Sequence, residues 1–233
     1  MWSDHIEPLA AAGLRVVALD LPGFGEAPVA EGEDAPWKDV LATLDALGIE
    51  RATLVGNSFG GAVALRVAAV APERVEAIAL ISAPVPGVEP SEQLQAAWSA
   101  EEDALEGEDL DGAVEAVLEH WLPADAPPAL RSRIAEMQRA AFELQLAAEE
   151  APEAEDPLEE DLAPLEGSPI RALLIVGEGD KPDFHAGAEL LARTLPDARQ
   201  EVLAGVAHLA PLEAPEEFRA LLLEFVGAGS DAS

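Results

Sequence analysis

The chain has 233 residues, enough for one α/β domain with an insertion, and 49% hydrophobic content argues for a folded core. It carries 13 basic against 46 acidic residues, a net charge of -33 that repels nucleic acid phosphates and anionic membrane surfaces. With no cysteine and four scattered histidines (His5, His120, His185, His208), disulfides, thiolate catalysis and a metal site are not expected. No long apolar run is present, and Met1-Trp2-Ser3-Asp4-His5 lacks the basic start and apolar middle of a signal peptide. A cytoplasmic protein is expected.

The chain opens with a short helical pattern from Ile6 to Ala12, stopped by Gly13. Arg15 to Leu19 reads as a short buried strand, and Asp20-Leu21-Pro22-Gly23-Phe24-Gly25 as a tight loop after it. Pro36 opens the next helix, where its missing N–H costs little, and Gly48 ends it after Leu47. Ala52 to Val55 then lead into Gly56-Asn57-Ser58-Phe59-Gly60, followed by an Ala/Val/Leu-rich helical run from Ala62 to Val70. Strand, sharp turn and helix is the setting in which G-x-S-x-G marks a nucleophilic serine at the tip of a strained turn. The flanking positions, where strand and helix approach, are expected to admit only a very small side chain.

Pro72-Glu73-Arg74 breaks the chain before Val75 to Ile81, an almost continuously apolar run suited to a parallel strand covered on both faces. Alternating strands and helices of this length predict a mostly parallel sheet with helices on both faces. The character changes after Pro86. Residues 87–168 show no strand pattern and hold acidic helical stretches over Glu92–Glu102, Asp111–Trp121 and Ala129–Glu149. A Pro/Glu-rich connector from Ala151 to Pro164 reads as too polar and proline-broken to pack as a regular element. Residues 87–168 are thus an inserted helical cap, and residues 1–86 with 169–233 form the core. From Glu89 to Glu166 there are 23 acidic and 3 basic residues, -20 of the total charge, which reads as a solvated face or as a rim that disfavours anionic substrates. The sheet resumes at Arg171 to Gly177, Glu178-Gly179-Asp180 leaves that strand, and a helix covers Ala186 to Thr194. Arg199 to Leu203 is a last strand left by Gly205-Val206-Ala207-His208. A helix from Pro215 to Val226 precedes a Gly/Ser tail expected to fray.

The chain resembles the α/β-hydrolase superfamily, and within it small hydrolases of the esterase and enol-lactonase type. The resemblance rests on Arg15 to Gly25, the Gly56 to Gly61 elbow, Pro72-Glu73-Arg74-Val75, Val176 to Asp180, and Gly205 to Leu209 with Pro215 to Phe218. It implies the chain order Ser, acid, His on loops beyond the carboxyl ends of strands. Ser58, Asp180 and His208 meet that order, with Asp183 and Glu178 as alternative acids, His185 as an alternative base, and Asp183 also readable as a helix N-cap. The amide of Phe59, after the nucleophile, is the implied oxyanion donor. Relatives that use an aspartate nucleophile or cap tyrosines are disfavoured, because position 58 is Ser58 and the chain has no tyrosine.

The resemblance also places a His-Gly oxyanion segment upstream of the tryptophan aligned with Trp2. The chain is therefore expected to be N-terminally shortened, lacking the first strands and that loop, whether as a fragment, a misassigned start or a natural short form. Losing one oxyanion donor lowers activity by roughly two to three orders of magnitude, and an open sheet edge favours association. The expected function is a serine hydrolase acting without cofactor on a small-molecule ester, lactone or related acyl substrate. The alternatives are a weakly active or non-catalytic truncated member, and a C–C bond hydrolase or cofactor-free perhydrolase on the same triad. Trp98, Trp121, Met137 and Phe142 are candidate walls of the substrate pocket, although aromatic and Met residues at helical spacing are more often core.

Overall fold

The computed structural model describes residues 1–29, 32–149, 151–152, 154–159 and 161–230. Four strands form one parallel sheet in the order β1 (Ala52–Asn57), β2 (Val75–Ile81), β3 (Arg171–Gly177) and β4 (Ala198–Leu203). Helices cover both faces, as the alternating pattern requires. The side-chain period of two divides each central strand between two cores. Ile78, Leu80, Leu174 and Val176 face one cluster, with Leu65, Val67 and Leu191 of α3 (Phe59–Val70) and α7 (Pro182–Thr194). Ala77, Ala79, Ile81, Leu173 and Ile175 face the other, with Leu9 of α1 (Ser3–Ala11) and Phe218, Leu222 and Phe225 of α9 (Pro215–Ser230). Burial on both faces is why β2 and β3 read as continuous apolar runs.

Punctuation follows the chain's own chemistry. Pro36 sits in the first turn of α2 (Pro36–Ala46). Gly13 and Gly48, which end the two N-terminal helical runs, take φ of +90° and +63°, values that only glycine adopts at little cost. Three helices lie between β2 and β3: α4 (Glu92–Glu106), α5 (Leu110–Trp121) and α6 (Pro128–Leu146). Ser91 caps α4 by accepting from the Leu94 amide, and Asp109 caps α5 by accepting from the Gly112 amide. Val114, Val117, Leu118, Ile134 and Phe142 give this insertion its own cluster, which meets the core at Leu212.

The structure departs from some of these expectations and adds detail to others. Arg15 to Leu19 is not a strand. A β-strand needs a ladder partner. Among the described residues none runs beside this segment, and β1 is an edge of the sheet. The connector after residue 150 has no regular structure beyond a short turn of helix at Ala163–Leu165, yet it packs closely. Leu158, Leu162 and Leu165 enter the core, and Arg66 Nε donates to Asp156 Oδ1 at 2.9 Å. Helix α7 begins at Pro182, four residues before the predicted start. A one-turn helix, α8 (Ala210–Glu213), follows His208. The last helix continues through the predicted Gly/Ser tail to Ser230, while residues 231–233 lie outside the described residues. No helix among the described residues is long and apolar enough to cross a membrane.

Candidate active site

Ser58 is the turn residue between β1 and α3, with φ +50° and ψ -120°, a combination that non-glycine residues rarely take. The surroundings enforce it. The Ser58 amide donates to the Ile81 carbonyl at 2.8 Å, extending the β1–β2 ladder, while its own carbonyl already accepts from Gly61 and Ala62. A Cβ on Gly56 would lie 2.2 Å from the Gly60 carbonyl oxygen, and one on Gly61 would lie 2.6 Å from the Ala83 Cβ. Gly60, expected to be tight, has nothing within 4 Å of the corresponding point. The close approach is thus at Gly56 and Gly61. Phe59 is the first residue of α3, so its amide has no intrahelical acceptor, and among the described residues it has no other partner.

Asp180 leaves β3 and His208 leaves β4. His208 Nδ1–H donates to both carboxylate oxygens of Asp180, at 3.1 and 3.0 Å. The two side chains are 5% and 1% exposed. Burial works against the Asp180 charge, but the hydrogen bond and charge of His208 and the Lys181 amide outweigh it, holding the carboxyl below its ordinary pKa. A carboxylate there fixes the proton on Nδ1 and leaves Nε2 as the free basic nitrogen. The close approach of the two loops explains Gly177, where a Cβ would lie 2.0 Å from the Ala207 carbonyl oxygen. The elbow joins them, because Asn57 Nδ2 donates to the His208 carbonyl at 3.3 Å.

Two aromatic rings hold the imidazole. Trp121, the last residue of α5, lies 4.4 Å from the His208 ring centre, and Phe184 of α7 lies 4.5 Å away on an interplanar angle of 53°. Trp121 Nε1 donates to Glu101 of α4 at 2.6 Å. Lys181, only 6% exposed, donates from Nζ to the His120 carbonyl at 2.5 Å and lies 3.5 Å from the centre of the Trp121 ring. Burial pulls the Lys181 pKa below its ordinary value and pushes that of Glu101 above it, the Trp121 hydrogen bond opposing the latter. Near the elbow, Phe24 of the 20–25 loop stacks on Phe59 with 5.8 Å between ring centres.

The four candidate wall residues separate. Trp121 touches the imidazole. Phe142 is buried in the cluster of the helical insertion, Met137 is half-buried on α6, and Trp98 is 48% exposed on α4. The alternative triad members go elsewhere. Glu178 accepts from the Gly205 amide at 3.2 Å. Asp183 is not an N-cap, since Lys181 holds that position; its carboxylate accepts from the amide and hydroxyl of Ser91, at 2.6 and 2.5 Å. His185 makes no polar contact among the described residues. Sequence reasoning passed over Lys181, Phe184 and Glu101. The pair Lys181-Pro182, a helix start directly after Asp180, was the available signal for the first two. Among the described residues no three His, Cys, Asp or Glu side chains are grouped to hold a metal ion.

Residues 1–215 match the family model of the alpha/beta hydrolase fold. The chain is 33% identical over 240 residues to the dihydrolipoyllysine-residue acetyltransferase component of the acetoin cleaving system of Pseudomonas putida, covering 94% of this chain and 58% of that one. Among solved structures it resembles a hydrolase from Pseudomonas aeruginosa PA01 at 28% identity and TM-score 0.76, covering 97% and 84% of the two chains. A thermophilic esterase from Thermogutta terrifontis is similar at 25% identity and TM-score 0.74, with 98% and 85% covered.

Proposed function

Since the chain belongs to the alpha/beta hydrolase fold family, we propose that it is a serine hydrolase of small, uncharged carboxylic esters or lactones, with Ser58 as nucleophile, His208 as base and Asp180 as acid. The observation that carries this reading is the buried Asp180–His208 hydrogen bond, joined by Asn57 to the strained Ser58 turn. A serine hydroxyl is a weak nucleophile at neutral pH. His208 takes its proton through Nε2 as Oγ attacks the acyl carbon, and Asp180 stabilises the imidazolium. The Phe59 amide donates to the developing oxyanion. His208 then returns the proton to the leaving oxygen, and water, activated in the same way, releases the acid. The aromatic setting of Trp121, Phe184, Phe24 and Phe59, inside an acidic surface, favours an apolar and uncharged acyl group.

The similarity to an esterase supports this reading, although the chain spans 58% of the length of the acetoin-system relative. The test is hydrolysis of short-chain p-nitrophenyl esters by the protein and by Ser58→Ala. The variant should lose roughly a thousandfold or more in kcat. Equal rates for the two proteins would reject the assignment. A second reading, a weakly active or non-catalytic member, is favoured by the position of β1 at the sheet edge, with Phe59 as the one oxyanion donor identified among the described residues. Rapid labelling of Ser58 by a fluorophosphonate would count against it.

A further inference from the structure

We propose that Glu213 is a positioning residue for His208, clamping the backbone on both sides of the base; the proposal rests on His208 serving as the base of the reaction above. Glu213 Oε2 accepts from the Ala207 amide at 2.8 Å and Oε1 from the Leu209 amide at 2.7 Å. These are the two residues that flank His208. Glu213 closes the one-turn helix α8, and the amides of Leu212 and Glu213 bond back to the Leu209 carbonyl at 2.8 and 2.9 Å. The segment from Ala207 to Glu213 therefore closes on itself around the base.

The rest of the loop is fastened by neutral or more distant bonds. The Gly179 amide donates to the Val206 carbonyl at 2.8 Å, the Glu178 side chain reaches Gly205 at 3.2 Å, and Asn57 reaches the His208 carbonyl at 3.3 Å. In this loop, among the described residues, Glu213 alone supplies one charged acceptor group to two amides at once, the stronger kind of hydrogen bond. The side chain of His208 has one polar anchor, Asp180, and its ring plane is set by Trp121 and Phe184. The position of its Cα is set by the loop. Losing both acceptors would leave two amides unpaired at the edge of the core and let the base swing about the Asp180 contact. Burial raises the Glu213 pKa, with the two amide bonds opposing it, which agrees with a carboxylate kept in place for its acceptors and not for solvation.

A carboxylate that reaches back to the start of its own helix also caps that helix, and a cap alone would affect stability only. The experiment separates the two with Glu213→Ala and Glu213→Gln. Three quantities are measured: Tm, kcat and KM on a p-nitrophenyl ester, and the downfield proton resonance of the His208 Nδ1–H held by Asp180, recorded well below Tm. In Glu213→Ala, kcat should fall roughly 10- to 100-fold with KM within about twofold, and the resonance should broaden or vanish. Glu213→Gln, which keeps one acceptor oxygen, should fall between and recover part of the resonance. A lowered Tm with unchanged kcat and a sharp resonance in either folded variant would reduce Glu213 to a helix cap and overturn the proposal. If Glu213→Ala does not fold, Glu213→Gln decides alone. If the wild-type protein proves inactive on esters, the assignment of function fails, while the resonance still reports whether Glu213 holds His208.

Discussion

The two glycines of G-x-S-x-G are not equivalent in this protein, and substituting alanine at each distinguishes them. At Gly56 the new Cβ would meet the Gly60 carbonyl oxygen at 2.2 Å, its carbon at 2.3 Å and the Gly61 nitrogen at 2.5 Å. All three are backbone atoms, more than about 1 Å inside ordinary van der Waals contact, so no rotamer change relieves them. Strand β1 must move away from α3. Overpacking a core costs about 1–3 kcal/mol when side chains can yield, so Gly56→Ala should cost about 3 kcal/mol or more. At about 2–4 °C per kcal/mol for a chain of this size, Tm falls by about 6–12 °C. Because β1 carries Ser58, a displacement of this size should also lower kcat roughly a hundredfold. Gly60 has open space around its Cβ position and lies in the first turn of α3, so Gly60→Ala should be neutral or gain up to about 1 kcal/mol. Gly61→Ala, meeting the Ala83 Cβ at 2.6 Å, should fall between them at about 1–3 kcal/mol. Thermal unfolding of the three variants is the assay. If Gly56→Ala melts within about 2 °C of wild type, or Gly60→Ala is as damaging as Gly56→Ala, the steric account of the elbow is wrong.

Asp180→Asn should keep the fold but lower kcat by roughly four orders of magnitude, because an amide no longer fixes the proton on His208 Nδ1. The folded pKa of Asp180 lies below its ordinary 3.8, so its contribution to stability is complete above 3.8 and lost as pH falls through the folded value. Urea unfolding at neutral and acidic pH should therefore show wild type losing its advantage over Asp180→Asn in acid. Glu101 behaves in the opposite sense: its folded pKa is raised above 4.5 by burial, so its contribution is present below 4.5 and lost as pH rises through the folded value. Glu101→Gln keeps an acceptor for Trp121 Nε1 without a buried charge, and should melt higher than wild type at neutral pH with the difference disappearing below 4.5. Trp121→Ala opens space beside His208, and should shift the kcat/KM ratio of a branched or aromatic ester to acetate upward by roughly tenfold or more.

What could be read from the residues follows a physical division. The buried strands Val75–Ile81 and Arg171–Gly177 were legible because both their faces are covered, and Pro36, Gly13 and Gly48 marked boundaries through constraints local to the backbone. Arg15–Leu19 has the composition of a strand, but a strand exists only with a partner, which composition cannot supply. Helix α8 is a single turn, too short for any periodic signal, and Gly227 and Gly229 do not interrupt α9. Of the candidate site, the turn at Ser58 was legible from its strand–turn–helix setting, whereas Asp180 and His208 were singled out by the chain order that the resemblance implies. The roles of Lys181 and Glu213 were not, because their contacts are with His120, Trp121, Ala207 and Leu209, and depend on loop conformations that the residue types do not dictate.

The geometry links two parts of the chain that the sequence presents as separate. Asp180 and His208 stand on loops of the sheet, whereas the indole packed on the imidazole comes from the helical insertion. Lys181, next in the chain to Asp180, is the fastening between them: its ammonium ends the helix dipole of α5 at the His120 carbonyl and lies over the ring of Trp121. Glu101 accepts from Nε1 at the edge of the same indole. Burial works against both charges, lowering the pKa of Lys181 and raising that of Glu101. What they supply is orientation. A change in the insertion that moved α5 would move the indole relative to His208 while leaving the Asp180–His208 bond intact. Under the proposed function, substrate preference is therefore free to vary through the insertion without disturbing the catalytic chemistry.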